Sequence, residues 1–106
     1  MTKETLIYII TTKQSVAWVL SDIEWLSYDT RQRQRGMYTA LGRLRAVCEI
    51  RLDDGHIKAP FVTYLINECI SNIYSTADYL SSDGAHSSLM GVRAAYDEML
   101  QTLEDI

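Results

Sequence analysis

The chain has 106 residues, 47% of them hydrophobic and 23% charged, and a formal net charge of −4. This length allows one domain, and the composition excludes a disordered chain. No apolar run approaches the ~20 residues of a membrane span, and the apolar run at residues 6–10 is too short for a secretory signal. We therefore expect one globular domain, residues 1–106, in the cytoplasm.

The first segment, residues 3–28, carries apolar side chains at helical spacing. Thr11 and Thr12 interrupt the pattern, and the β-branched residues before them would also suit a strand. A lone strand cannot satisfy its backbone, and the chain offers no second strand. The pattern therefore predicts one long helix bent near Thr12, while a division into two helices stays open. Trp18 and Trp25 lie seven residues apart, and we expect both in the core.

The second segment begins near Asp29 or Thr30, either of which can cap a helix. The sequence Asp53-Asp54-Gly55 is a strong turn signal and closes it. Its apolar row is Met37, Leu41, Leu44, Cys48 and Leu52.

Two further helices follow. Pro60 suits the first turn of the third helix, because proline lacks a backbone N–H and the first residues of a helix have no partner for theirs. Residues 81–84 are expected to end this helix. Ser87 or Ser88 can cap the fourth. Short connections between four helices predict an all-α fold, a compact antiparallel bundle. The apolar stripe of the fourth helix is Leu89, Val92, Tyr96, Met99 and Leu103.

The residue patterns of catalysis and metal binding are missing from the sequence. His56 and His86 are isolated, and no cysteine or histidine pair has the spacing of a metal site. No nucleophile stands in a known catalytic motif, and the acidic pairs are sequence neighbours that diverge on a helix. We expect a protein that is not an enzyme and has no cofactor. Cys48 and Cys69 are expected to be buried free thiols, with one disulfide as the alternative.

Six of the ten basic residues lie between positions 31 and 51. They begin with the run R-Q-R-Q-R, near the start of a helix, where cations oppose the helix dipole. Packing gives no reason for arginines there. Either they form a solvated face, paired with acids such as Asp22, Glu24, Asp29 or Glu49, or they contact an outside partner. The six are Arg31, Arg33, Arg35, Arg43, Arg45 and Arg51.

Seven tyrosines and two tryptophans are too many for the core alone, and contact surfaces favour tyrosine and arginine. The last helix offers an acidic face that could occupy a basic groove of a partner. The candidate protein-binding residues are therefore Arg31, Arg33, Arg35, Arg43, Tyr38, Asp97, Glu98 and Asp105.

In its size, acidic and tyrosine-rich composition and helicity, the whole chain resembles the small phage-encoded anti-CRISPR proteins of the type I class. The resemblance implies an inhibitor that binds a subunit of a CRISPR surveillance complex, or its nuclease, in a bacterial host cell. One alternative is a small homodimeric regulatory or adaptor protein. Another is a nucleic-acid-binding domain that uses residues 31–51, although a sequence pI of about 5.0 disfavours direct nucleic-acid binding.

Overall fold

Four helices make up the structure, a computed structural model that describes residues 1–77 and 83–104, with the side chains of residues 1–72 and 86–104. The predicted all-α bundle is confirmed, and the described residues contain no strand beyond a single bridge between Thr2 and His56. None of the helices in these ranges is long and apolar enough to cross a membrane. The helices are α1 (Lys3–Ser21), α2 (Tyr28–Arg51), α3 (Ala59–Ala77) and α4 (Asp83–Glu104).

Helix α1 is one continuous helix, but it is shorter than predicted. The Thr2 hydroxyl caps it by accepting from the N–H of Thr5 at 3.1 Å. The helix continues through Thr11 and Thr12, and the Thr12 hydroxyl donates to the Tyr8 carbonyl at 2.9 Å. The helix ends at Ser21, and residues 22–27 form the turn to α2. The predicted extension to residue 28 is therefore wrong.

Helix α2 is capped by Ser27, not by the predicted Asp29 or Thr30. The Ser27 hydroxyl accepts from the N–H of Thr30 at 3.2 Å. The Asp29 carboxylate instead accepts a hydrogen bond from the Ser87 hydroxyl of α4 at 3.2 Å. The predicted turn after α2 is confirmed, with Gly55 at φ 97°, a conformation that favours glycine.

Lys3 ties the start of α1 to the end of α2. Its Nζ donates to the carbonyl oxygens of Glu49 and Leu52 at 3.0 and 2.9 Å. Its backbone N–H donates to the Gly55 carbonyl at 2.8 Å. A cation at a helix C-terminus satisfies carbonyls that have no partner within the helix, so this contact fixes the antiparallel pairing of α1 with α2.

The last two helices differ from the prediction at one point. Pro60 lies in the first turn of α3, as predicted. The predicted end of α3 falls partly on residues 78–82, which lie outside the described residues, while Asp83 and Gly84 already belong to α4. Helix α4 therefore starts before Ser87 and Ser88, so neither caps it. Both hydroxyls bond to α2 instead, Ser88 reaching the Gln32 carbonyl at 3.3 Å.

Helices α2 and α4 run parallel and touch closely. Consecutive helices alternate in direction, so α2 and α4 point the same way, and Asp29 meets Ser87 at one end. A Cβ atom built on Gly36 would lie 1.9 Å from the Ser88 carbonyl oxygen. One built on Gly91 would lie 1.9 Å from the Arg33 carbonyl oxygen. Only glycine permits backbones this close.

The core lies between α2, α3 and α4, with the inner side of α1 added. Cys48 and Cys69 are both buried and free, as predicted. Fully buried Tyr96 is the largest side chain of the described core, and its hydroxyl has no hydrogen-bond partner of good geometry, only the weak thiol of Cys69 as a polar neighbour. Other core residues include Leu6, Ile10, Leu41, Leu44, Leu65, Ile66 and Met99.

We expect Tyr96→Phe to leave the free energy of unfolding unchanged or to raise it by up to about 1 kcal/mol. The reason is that the buried hydroxyl gave up its water without gaining a good partner. Urea unfolding of wild type and variant at neutral pH measures the difference. A loss of more than about 1 kcal/mol would mean that the contact with Cys69 is a stabilising hydrogen bond after all.

The buried thiols of Cys48 and Cys69 and the buried Tyr96 hydroxyl make the free energy of unfolding depend on pH under alkaline conditions. Burial raises the pKa of the Cys48 thiol from 9.0 to about 11, and burial also raises the pKa values of Cys69 and Tyr96. The folded protein therefore holds these protons more tightly than the unfolded chain does. Their contribution to stability is complete below the unfolded pKa and is lost as the pH rises through the folded one.

We expect the free energy of unfolding to be flat up to about pH 8.5 and then to fall by about 2 kcal/mol on account of Cys48 alone by about pH 11. Urea titrations at pH 7.5, 9.5 and 10.5 measure the slope. Cys48→Ala serves as the control, since it costs stability at every pH but should show a shallower alkaline decline. An equal decline in both proteins would contradict this assignment.

Candidate protein-binding surface

The structure separates the six clustered arginines into groups with different surroundings. Arg45 pairs with Glu49 one turn on, with Nε 3.2 Å from Oε1. Arg51 of α2 pairs with Glu68 of α3 at 3.5 Å. These two guanidinium groups already have carboxylate partners within the molecule, and both pairs are half-exposed, so they add little stability.

Arg31 and Arg35 form no ion pair with any described carboxylate. Arg35 is exposed, while Arg31 is partly buried and its Nε is enclosed without a hydrogen-bond partner. Of the acids expected to neutralise them, Asp29 bonds to Ser87 and Glu49 pairs with Arg45. The alternative of an internally paired helix face is thus not realised for Arg31 and Arg35 among the described residues.

Arg33 and Arg43 point to other sides of α2. Arg33 is exposed, and its backbone carbonyl lies against Gly91 at the crossing with α4. Arg43 is exposed too, but its charge reaches the buried Cys69 and Tyr96, where it counters the burial that raises their pKa values. The predicted arginine candidates therefore do not form one patch.

Two tyrosines lie on the same side of α2 as Arg31 and Arg35. Tyr28, Arg31, Arg35 and Tyr38 recur at steps of three, four and three residues, which places them along one side of α2. The Tyr38 ring packs against Trp18 of α1, with ring centroids 4.9 Å apart and planes tilted by 45°. We call this surface the arginine–aromatic face, and it comprises Trp18, Tyr28, Arg31, Arg35 and Tyr38.

The expectation that both tryptophans fill the core is wrong. Trp18 is 57% exposed and Trp25 is 83% exposed. Helix α1 ends at Ser21, so Trp25 lies in the following turn, and the seven-residue spacing no longer places it beneath Trp18. The buried side of α1 is formed by smaller residues, namely Leu6, Ile10, Ala17 and Ser21.

A shallow groove of about 400 Å³ runs between α1 and α2 beside this face. Trp18, Tyr38 and Arg45 line it. Large apolar surface beside cationic donors is the composition of a protein contact surface. The remaining lining residues are Thr11, Gln14, Ser15 and Val19.

The acidic candidates on α4 are only partly available. Asp97 binds Arg93 through both carboxylate oxygens, at 3.1 and 3.2 Å from Nε. Glu98 is exposed, and its backbone carbonyl accepts from the Thr102 hydroxyl. Asp105 lies outside the described residues. Of the two acidic candidates within the described residues, Glu98 is therefore the one that forms no ion pair with a described residue.

The described residues hold no group of three or more metal-ligating side chains. His56 and His86 are both exposed. Comparisons of the chain with family models, with curated proteins and with solved structures find no match. The function is therefore inferred from the chemistry of the surface itself.

Proposed function

We propose that this protein is a non-enzymatic inhibitor that binds the surface of a partner protein complex through its arginine–aromatic face. The observation that carries the proposal is the position of Arg31 and Arg35, which lack carboxylate partners among the described residues and share one side of α2 with the exposed Tyr28. Tryptophan, tyrosine and arginine dominate the residues whose removal most weakens protein complexes.

The electrostatics of α2 support an outside partner. Arg31 lies at the end of the first turn of the helix, where the dipole disfavours a cation by a few tenths of a kcal/mol, and Arg35 lies one turn further on without a carboxylate partner among the described residues. Folding therefore gains nothing from their charge. A carboxylate on a partner would pair with the planar guanidinium through two hydrogen bonds, and the neighbouring rings would exclude water from those bonds.

The partner that we propose is a subunit of a type I CRISPR surveillance complex, or its nuclease. What supports this choice is the general character of the chain, which is small, helical and acidic overall. The mechanism is steric: the bound protein covers a surface that target DNA or the nuclease must reach. An acidic patch on the partner would complement Arg31 and Arg35.

Affinity capture tests this proposal. Tagged protein is incubated with a nuclease-treated bacterial lysate that contains a type I CRISPR–Cas system, and is then washed at moderate salt. One stoichiometric defence-complex partner that survives nuclease treatment is the expected result. Recovery of the protein alone would overturn the proposal. Material that is captured only without nuclease, and is released steeply by salt, would indicate the nucleic-acid-binding alternative.

A further inference from the structure

The turn between α2 and α3 exposes an Asp-Gly pair outside the helices. Helix α2 ends at Arg51 and α3 begins at Ala59, and Asp54-Gly55 lies between them. The Asp54 side chain is fully exposed, and Gly55 has a φ of 97°. The Gly55 N–H donates no hydrogen bond to a described residue. A carboxyl group and a free backbone N–H are therefore neighbours, and Gly55 has no side chain to hinder their approach.

We infer that Asp54-Gly55 is a site of spontaneous isoaspartate formation. The Gly55 nitrogen bonds to the side-chain carboxyl carbon of Asp54, and the amide hydrogen leaves with the carboxyl hydroxyl as one water molecule. The product is a five-membered succinimide ring. Water then adds to a ring carbonyl and opens the ring. Opening at the main-chain carbonyl gives isoaspartate, and opening at the other carbonyl restores aspartate, so the reaction requires no reagent except water.

The contacts of Asp54 hold its carboxylate only weakly. Its ion pair within the described structure is with the Lys3 Nζ, at 3.6 Å. This ammonium group already donates to the carbonyl oxygens of Glu49 and Leu52, at 3.0 and 2.9 Å. An ion pair with a fully exposed carboxylate adds little stability. The Asp54 side chain can therefore rotate toward the Gly55 nitrogen without breaking a buried contact.

A second Asp-Gly pair lies in a different backbone setting. Asp83 and Gly84 are the first two residues of α4. Closing the succinimide ring requires a ψ angle at the aspartate far from the helical value of about −42°. The first turn of α4 must therefore open before Asp83 can react. Folding protects this pair and leaves Asp54-Gly55 reactive.

Isoaspartate at position 54 would disturb the contacts between this turn and the start of the chain. The Gly55 carbonyl accepts from the Lys3 N–H at 2.8 Å, and the Ile57 N–H donates to the Met1 carbonyl at 3.0 Å. Isoaspartate adds one carbon–carbon bond, about 1.5 Å, to the main chain directly before Gly55. The Gly55 carbonyl then cannot keep its position between α2 and α3. The modification thus loosens the start of α1 as the molecule ages.

Ageing of the purified protein tests the inference. Samples are held for several weeks at neutral pH and physiological temperature, folded in buffer or unfolded in guanidinium chloride. Digestion with a protease that cuts before aspartate but not before isoaspartate, followed by electron-transfer fragmentation, quantifies the isomer at each position. In the folded protein, isoaspartate should accumulate at least about fivefold faster at Asp54 than at Asp83, since α4 must open first. The two rates should be similar in the unfolded chain.

Two results would overturn the inference. One is an absence of isoaspartate at Asp54 after ageing of the folded protein. The other is an equal rate at Asp54 and Asp83 in the folded protein, since the structure would then not select the site.

Amide exchange tests the structural consequence, with Asp54→Glu as the matched control. Glutamate keeps the negative charge near Lys3, but it would have to close a six-membered ring, which forms far more slowly. In the isoaspartate fraction of aged wild type, the amides of Lys3 and Ile57 should exchange at least about tenfold faster than in fresh protein. Aged Asp54→Glu should exchange like fresh protein.

Unchanged exchange in the isoaspartate fraction, or equally faster exchange in aged Asp54→Glu, would contradict the loosening of α1. Neither assay involves Arg31 or Arg35. The inference therefore does not depend on the proposed function, and its failure would leave that function to its own test.

Discussion

Gly91→Ala and Gly36→Ala should each lower the free energy of unfolding by about 2–4 kcal/mol. A methyl group at either position would meet a carbonyl oxygen of the facing helix at 1.9 Å. Real Cβ atoms do not approach so closely, and a backbone carbonyl cannot rotate aside as a side chain can. The helices would have to separate, which would also stretch the hydrogen bonds from Ser87 and Ser88 to α2.

A third glycine provides the matched control. A Cβ on Gly42 would meet the Gln14 Nε2 at 2.9 Å, which is the end of a flexible side chain that can move. Alanine is favoured over glycine inside a helix by up to about 1 kcal/mol, so Gly42→Ala should be neutral or stabilising. Thermal and urea unfolding of the three variants measure the contrast. Equal effects at all three positions would show that α2 and α4 do not cross as described.

The double substitution of Arg31 and Arg35 to glutamine should weaken binding to the partner by a hundredfold or more, about 2.7 kcal/mol or more. The fold should not suffer. Neither guanidinium has a carboxylate partner among the described residues, and glutamine keeps the first part of the Arg31 side chain, which is partly buried. We expect the free energy of unfolding to stay within about 0.5 kcal/mol of wild type.

Arg45→Gln is the control for the double variant. Its side chain comes from the same helix, but it already pairs with Glu49, so its loss should change partner affinity by less than about fivefold. Calorimetry or surface plasmon resonance with the captured partner compares the three proteins. Equal loss from Arg45→Gln and from the double variant would mean that net charge, and not the arginine–aromatic face, governs binding.

Much of the fold could be predicted because it depends on local signals. The apolar rows on α2 and α4 and the turn at Gly55 are visible in short windows of sequence. The caps were harder to place, because several residues qualify and tertiary contacts decide among them. Asp29 has a side chain that can cap a helix, but its carboxylate accepts a hydrogen bond from Ser87 of α4. The Ser27 hydroxyl caps α2 instead.

The close crossing of α2 and α4 was missed, although a signal exists. Gly36 and Ala40 on α2, and Gly91 and Ala95 on α4, repeat small residues four apart, which is the pattern of helices in near contact. The pattern is too common to identify which helices meet. The position of Trp25 outside the core could not be predicted either, because it depends on α1 ending at Ser21.

The candidate surface was predicted in composition but not in shape. The arginine run is evident in the sequence, whereas the pairing of Arg45 and Arg51 with acids depends on which helix faces are opposed. Tyr28 lies close to the arginines in sequence, and it shares their side of the helix because α2 begins at this residue. The spacing of arginines along the sequence does not show which of them form ion pairs within the molecule and which do not.

The most direct test of the central claim uses purified type I CRISPR surveillance complexes and their nuclease. The protein is mixed with each at low micromolar concentration after nuclease treatment, and co-migration and target-DNA binding are measured beside the Arg31/Arg35 double variant. We predict a stoichiometric complex with one of these assemblies, loss of DNA binding or nuclease recruitment, and neither effect from the variant. The claim would be contradicted by no association with any of them, or by inhibition that the variant retains in full.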